Sequence, residues 1–309
     1  MKTKKIILMS MALTGIFLFT ACDKDDDTMD PVATTDQTIT EYAVSDPDFS
    51  ILVQALTKAD LADVLNGSGN FTVFAPTNAA FNELFATLGV GGIADLSAET
   101  LTPILLYHVL GTEKKASMIS SGYYATLSPA EGNFASMNIS VSGGVYIDKD
   151  TQVTAADVDV KNGVIHVIDK VLLPPSVVDI ALDNSNFSIL VQAVVKANLV
   201  ETLSTAGPFT IFAPTNTAFE TLFAELGVAG VADLTAEQLT PILLYHVVSG
   251  NVRSSDLSDG SVETLNGPIE ISLMPSPSIN GTTMIVATDV QATNGVVHVI
   301  DKVILPPAK

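Results

Sequence analysis

The sequence predicts an α+β protein with two tandem domains, in which helices precede a mainly antiparallel sheet. An internal repeat gives the number of domains, because residues 49–109 are identical to residues 187–247 at 42 of 61 positions. Within each copy, apolar residues recur first with a helical period and later with a period of two. Of the 309 residues, 47% are hydrophobic, which is too many for a disordered chain. We therefore predict domains at residues 40–175 and 176–309.

The first 39 residues are predicted to contain a signal peptide for export and a segment that attaches the protein to a membrane. Three lysines among the first five residues precede an apolar run over residues 6–19, and small residues follow up to Cys22. This pattern is typical of a signal peptide over residues 1–21, and the cysteine is placed as in bacterial lipoproteins. Cys22 would then carry the acyl chains, and an acidic, flexible tether would follow over residues 22–39. An unmodified cysteine is the alternative.

Three segments of the first copy have helical signals, and the second copy repeats them. Apolar residues at helical spacing predict a helix over residues 51–59. Thr77 is placed to cap the helix that follows it. A third helix is predicted to begin at Thr102, with Pro103 in the first turn, where the missing N–H costs no hydrogen bond.

Strand signals surround and follow these helices. Residues 71–75 form a short β-type run that Pro76 ends. Later, alternating aliphatic residues flank residues 142–144, which predicts a hairpin. A second hairpin is predicted at Asn162 and Gly163, whose residue types favour a tight type I′ turn.

These motifs resemble the fasciclin (FAS1) domain family. The first family motif is similar to FTVFAPTNAAF at residues 71–81, the central Tyr-His element to LYHV at 106–109, and the second motif to NGVIHVID at 162–169. All three recur in the second copy, and together they cover nearly everything after residue 40. The resemblance implies a wedge of β-strands flanked by helices. It also implies extracellular adhesion, or binding to proteins and polysaccharides, without catalytic residues.

The resemblance also singles out four candidate binding residues. The Tyr-His element is implicated in integrin binding in animal members of the family, and Tyr107, His108, Tyr245 and His246 match it. The aliphatic residues beside them are equally suited to a core, so a structural role is the alternative. The animal integrin motifs themselves are not recognisable, so integrin binding is not carried over.

The four histidines of the chain form two equivalent pairs, namely His108 with His246 and His166 with His298. A metal held by two histidines of one domain is one hypothesis. The other is that each imidazole bonds to backbone groups inside the fold. Two histidines without a neighbouring carboxylate motif make a poor metal site, so we predict no metal and no cofactor.

Charge and motifs restrict the function. The chain has 34 acidic residues against 14 lysines and arginines, a net charge of -20, which disfavours nucleic acid as a partner. It carries no nucleophile elbow, zinc-protease helix or phosphate-binding loop, so we predict no enzyme activity. The prediction is a lipid-anchored cell-envelope protein that binds extracellular or envelope proteins or polysaccharides. The alternative is a periplasmic scaffold or small-ligand-binding protein, with an apolar pocket between helices and sheet in both domains.

The expected location is the outer membrane, with Cys22 as the membrane anchor. The acidic run after the cysteine resembles the surface-export signal of some Gram-negative lipoproteins, which favours display outside the cell. It is equally suited to a spacer on a protein that faces the periplasm. The two copies differ most at residues 113–144 and 253–283, where we expect domain-specific contacts.

Overall fold

The computed structural model describes residues 36–205 and 207–307, and both sequence repeats belong to the same compact unit. The predicted signal peptide, Cys22 and most of the predicted tether lie outside the described residues. In the described ranges, no helix is long and apolar enough to cross a membrane. We call the two repeats domain 1 and domain 2.

Domain 1 places its main helices before most of its sheet. Helix α4 begins as predicted, because the hydroxyl of Thr77 accepts the N–H of Ala80, and it ends at Gly89 in the left-handed conformation. The helices are α1 (Ile39–Ser45), α2 (Ser50–Lys58), α3 (Ala62–Asn66), α4 (Asn78–Leu88) and α5 (Ala98–Tyr107). The strands are β1 (Phe71–Pro76), β2 (Val109–Leu110), β3 (Gly122–Ala130), β4 (Asn133–Ser140), β5 (Tyr146–Ile147), β6 (Thr151–Val160) and β7 (Gly163–Ile168).

Domain 2 repeats this order of elements. Its helices are α6 (Val177–Asp183), α7 (Ser188–Lys196), α8 (Val200–Ser204), α9 (Asn216–Leu226) and α10 (Ala236–Tyr245). Its strands are β8 (Phe209–Pro214), β9 (Val247–Ser249), β10 (Gly260–Thr264), β11 (Gly267–Ser272), β12 (Ser278–Ile279), β13 (Thr283–Ala292) and β14 (Gly295–Ile300). A short 3-10 turn, Ser185–Phe187, joins α6 to α7, as Pro47–Phe49 joins α1 to α2.

Each domain contains a seven-stranded sheet. The strand orders are β2-β1-β7-β6-β5-β4-β3 in domain 1 and β10-β11-β12-β13-β14-β8-β9 in domain 2. Among the described strands, β1 pairs with β7 and β8 with β14 in parallel, and the other pairs are antiparallel. The predicted α+β class with mainly antiparallel strands is confirmed.

Each sheet separates two hydrophobic cores. Neighbouring residues of a strand point to opposite faces, and β1 shows this directly. Val73 packs with Phe81 and other helical side chains, whereas Phe74 packs with Tyr107 and Met137 on the other face. Domain 2 repeats both cores with the equivalent residues.

The helix predicted to begin at Thr102 begins four residues earlier, at Ala98, so that prediction was wrong. Ser97 caps this helix, α5, because its hydroxyl accepts the N–H of Thr100 at 3.1 Å. Pro103 is therefore an interior residue of α5. The serine cap satisfies an N–H at the true start of the helix, and this outweighs the preference of proline for the first turn.

The predicted hairpin of β6 and β7 forms, but its turn is not type I′. A type I′ turn needs positive φ at both central residues, and neither Lys161 nor Asn162 has it. The side chain of Asn162 instead bonds to other parts of the chain. Its Oδ1 accepts the N–H of Ile39 at 2.9 Å, and its Nδ2 donates to the carbonyl of Leu65 at 2.7 Å. Asn162 therefore joins the sheet to the helices.

Candidate functional site

The two Tyr-His elements are buried at the ends of helices α5 and α10. Tyr107 and Tyr245 are 0% and 2% exposed, and His108 and His246 are each 2% exposed. Both tyrosines belong to the cores on the sheet face that lies away from the helices. A partner would have to open the domain to touch them. Their assignment as binding residues stays a prediction, and their position gives them a role in packing.

Both nitrogens of each imidazole in these elements are hydrogen bonded. Nδ1 of His108 lies 2.7 Å from the carbonyl oxygen of Ile104, and Nε2 accepts the N–H of Leu172 at 3.0 Å. A carbonyl only accepts, so the proton is on Nδ1 and the ring is neutral. Burial accordingly lowers the pKa of His108 to about 4. His246 repeats the arrangement, and burial lowers its pKa to about 4 as well.

The second pair of histidines uses the opposite tautomer. Nε2 of His166 lies 2.9 Å from the carbonyl oxygen of Lys114, and Nδ1 accepts the N–H of Asp157 at 3.2 Å. The proton is therefore on Nε2, and burial lowers the pKa of this ring too. His298 makes the equivalent two hydrogen bonds in domain 2, and burial lowers its pKa in the same direction.

These hydrogen bonds leave the imidazoles without a free nitrogen. A metal-binding ring must offer a lone pair, and a backbone N–H already occupies that lone pair in each of the four. In the part of the chain that the structure describes, no group of three or more His, Cys, Asp or Glu side chains could hold a metal ion. The histidines thus serve internal hydrogen-bond networks, as the second of the two sequence hypotheses expects.

Tyr107 is linked to a carboxylate that sequence analysis missed. Its hydroxyl donates to Oδ2 of Asp148 at 2.9 Å, and Oδ1 of Asp148 accepts the N–H of Asn138 at 2.9 Å. Burial raises the pKa of Asp148 to about 7, although both hydrogen bonds favour the ionised form. The equivalent residue of domain 2 is Asn280, whose amide lies 3.3 Å from the hydroxyl of Tyr245. Domain 1 thus has a titratable group where domain 2 has a neutral one.

Asn138 also lines a polar cleft between the two domains, with a volume of about 720 Å³. The hydroxyl of Tyr123, on β3, accepts a hydrogen bond from Nδ2 of Asn184, which precedes α7, at 2.9 Å. Burial, and then the charge of Asp179, raise the pKa of Asp183 at this cleft to about 6. The walls carry hydroxyl and amide groups, which include those of Ser121, Tyr123, Asn138, Asn184, Ser185 and Asn186.

The divergent middle of domain 1 makes the contact with domain 2. Strands β3 and β4 lie against β13, where Oγ of Ser136 accepts the N–H of Gln291 at 3.0 Å. Nearby, Nδ2 of Asn251 donates to the carbonyl of Glu131 at 3.3 Å. Ser136 and Glu131 belong to residues 113–144, one of the two stretches where the copies differ most. Most of the cleft wall that domain 1 provides, including Tyr123 and Asn138, comes from this stretch, so divergence between the copies was a sequence signal for that wall.

A protein-family model matches this chain twice, once in each domain. The family model described as fasciclin domain matches residues 47–174 and 185–306. Protein sll1483 of Synechocystis sp. is 41% identical over 133 residues, which are 43% of this chain and 74% of that protein. Transforming growth factor-beta-induced protein ig-h3 of Sus scrofa is 30% identical over 283 residues, and the match spans 88% of this chain.

The match covers only 38% of the length of ig-h3. A solved FAS1 domain pair from the insect cell adhesion molecule Fasciclin I covers 86% of this chain and 96% of its own, at 19% identity and a TM-score of 0.47. The two segments matched by the family model include most of the chain, and each contains the three motifs of the sequence resemblance. The chain therefore belongs to the fasciclin domain family and carries two such domains in tandem.

Proposed function

We propose that this chain is a non-catalytic, lipid-anchored cell-envelope protein that attaches to proteins or polysaccharides through its fasciclin domains. The polar cleft between the domains is the observation that carries the proposal. Tyrosine gives a binding surface a rigid, amphipathic contact, and serine and asparagine give it adaptable hydrogen bonds, as in antibody loops. The cleft combines all three residue types, and residues of both domains line it.

The histidine networks support a role without catalysis. A general base needs a nitrogen that is free to take a proton, and each imidazole nitrogen here already has a backbone partner. Asp148 has a raised pKa, which often marks catalytic groups. Domain 2 builds the same network with the amide of Asn280, however, so the network does not need an acid.

Protease treatment of intact cells tests the location. We expect added protease to remove both domains, while a periplasmic protein used as leakage control stays intact. Cys22→Ser should release the protein from the membrane fraction, because it removes the proposed site of acylation. Protection of the domains until the outer membrane is opened would contradict surface display, and C22S protein that stays with the membrane would contradict the anchor.

A pair of matched substitutions tests the cleft. Asn186 lies in the 3-10 turn of domain 2 and lines the cleft, whereas Asp48 has the equivalent place in domain 1 and is exposed elsewhere. Asn186→Trp should fill the cleft and reduce attachment of purified protein to cells or glycan arrays at least tenfold. Asp48→Trp adds the same bulk at the equivalent turn and should leave attachment unchanged. Equal loss, or no loss, in the two variants would contradict a role for the cleft.

A second candidate function is small-ligand binding in the periplasm. Apolar cavities lie between helices and sheet at equivalent places in the two domains, with volumes of about 20 Å³ in domain 1 and 120 Å³ in domain 2. The larger cavity is the observation that favours this candidate. Protection of both domains in the protease experiment would support it over adhesion between cells.

A further inference from the structure

The larger cavity lies in domain 2 between helices α6, α7, α8 and α10 and strand β8. Its walls are aliphatic and aromatic side chains, apart from the ring of His246. The rim includes Leu182 and Val195, which are 43% and 56% exposed, so the cavity lies next to apolar surface. Members of the wall include Val178, Leu190, Val194, Leu203, Ile211 and Leu243.

The smaller volume in domain 1 has a simple cause in the sequence. Leu56 is 3% exposed and fills the space there, and its equivalent in domain 2 is the shorter Val194. Tyr42 also lines the domain 1 cavity, and its ring lies 6.2 Å from that of Phe49. The equivalent of Tyr42 is Ile180, which has no ring. These two substitutions, together with Val177 in the place of Ile39, leave more open space in domain 2.

We infer that domain 2 binds a neutral, apolar molecule of about one aromatic ring in this cavity. The cavity volume of about 120 Å³ indicates the size of the ligand, because an engineered protein cavity of about 150 Å³ with similar walls stays dry and binds benzene. The inference does not depend on adhesion, and it gives the second candidate function a site and a class of ligand.

The lining decides that the ligand is apolar. His246 is the one lining side chain with polar atoms, and its Nδ1 and Nε2 are bonded to the backbone of Ile242 and Ile304 at 2.8 and 3.1 Å. A hydroxyl or a charge on the ligand would give up its water and find no partner in the cavity. A ligand without polar atoms loses nothing in this way and gains contact with the aliphatic walls.

Titration of the full chain with toluene, followed by NMR of the valine and leucine methyl groups, tests the inference. We expect one toluene per chain, with shifts at Val194 and Leu243. Phenol has nearly the same shape as toluene but carries a hydroxyl in place of the methyl group, so it should bind at least tenfold more weakly. The domain 2 variant I180Y/V194L copies the filled arrangement of domain 1 and should lose toluene binding.

The reverse substitutions in domain 1 supply the matched control. Y42I/L56V copies the open arrangement of domain 2 and should add a second toluene site. The residues of each variant occur naturally together in the other copy, so both should fold. Absence of toluene binding would overturn the inference. Equal affinity for toluene in the wild type and in I180Y/V194L, or methyl shifts outside domain 2, would overturn it as well.

Discussion

Replacing Asp148 with Asn should stabilise the protein at neutral and higher pH. The carboxylate is half-buried, accepts hydrogen bonds from the hydroxyl of Tyr107 and the N–H of Asn138, and has a pKa raised to about 7. Domain 2 shows that an amide fits this place, because Oδ1 of Asn280 accepts the N–H of Glu270 at 2.9 Å. Asp148→Asn therefore keeps the backbone hydrogen bond and removes the charge.

The sign and the size of the stability change follow from the pKa values of Asp148 in the folded and unfolded protein. The usual pKa of the carboxyl is 3.8, so between pH 4 and 7 the folded protein binds a proton that the unfolded chain has lost. The free energy of unfolding therefore falls as the pH rises through this range, and the effect is complete above pH 7. One pKa unit corresponds to about 1.4 kcal/mol. Between pH 5 and pH 8, the advantage of D148N over the wild type should grow by about 2 to 3 kcal/mol.

Urea unfolding at pH 5, 6, 7 and 8 measures this difference. The matched control is Asn280→Asp, which places a carboxylate in the equivalent network of domain 2. Asn280 is exposed, so the difference between N280D and wild type should change little between pH 5 and 8. A constant difference between D148N and wild type from pH 5 to 8 would refute the argument, because a change in packing alone does not titrate. A difference from wild type that grows with pH in D148N, and a nearly constant difference in N280D, are the expected signature.

Two further predictions concern the interior. The histidines of the unfolded chain take up protons near pH 6.5, whereas the buried rings of His108 and His246 do so only near pH 4. The free energy of unfolding should therefore fall by about 3 kcal/mol per ring as the pH drops from 6.5 to 4. Urea unfolding should show a smaller fall over this range in His108→Gln. Gly163→Ala should cost at least about 2 kcal/mol, because φ is +150° and a Cβ would lie 2.0 Å from the carbonyl oxygen of Phe71, whereas Gly92→Ala, with open space, should leave the thermal midpoint nearly unchanged.

Elements governed by neighbouring residues could be predicted from the sequence. Strand β1 was expected over residues 71–75 and spans Phe71–Pro76. Pro76 has no N–H for the sheet, so the strand ends at this residue, one position later than expected. Thr77 then caps α4 through the N–H of Ala80, three residues away. Signals of this kind need only a few residues of sequence, and both copies of the repeat carry them.

The errors arose where a local signal met a stronger or more distant partner. Pro103 suggested a helix start, but Ser97 lay one turn earlier with a better cap. Asn162 suggested a type I′ turn, but its side chain bonds to Ile39 and Leu65, which are 123 and 97 residues away in the chain. No window of a few residues contains such partners, so turn type could not be predicted there.

The candidate site was harder to predict than the fold, because its key groups depend on burial. Asp148 follows a predicted hairpin strand and looks like any polar turn residue in the sequence. Its raised pKa comes from the surrounding protein, and its bond to Tyr107 spans 41 residues. One sequence signal existed, namely that domain 2 has Asn280 at the same place. Comparison of the two copies, position by position, would have found it.

Comparison of the two copies also explains why β3 and β4 of domain 1 contact domain 2. The strand registers align Tyr123 and Ser136 of domain 1 with Ser261 and Pro268 of domain 2. The tyrosine and the serine provide the hydroxyl acceptors for domain 2, and proline at the second place has no hydroxyl to offer. Domain 2 therefore lacks the serine hydroxyl that makes the contact with Gln291. The histidine networks of the interior are equivalent in both copies. The hairpin of β3 and β4 in domain 1 differs from its equivalent in domain 2, and this difference makes the cleft between the domains asymmetric.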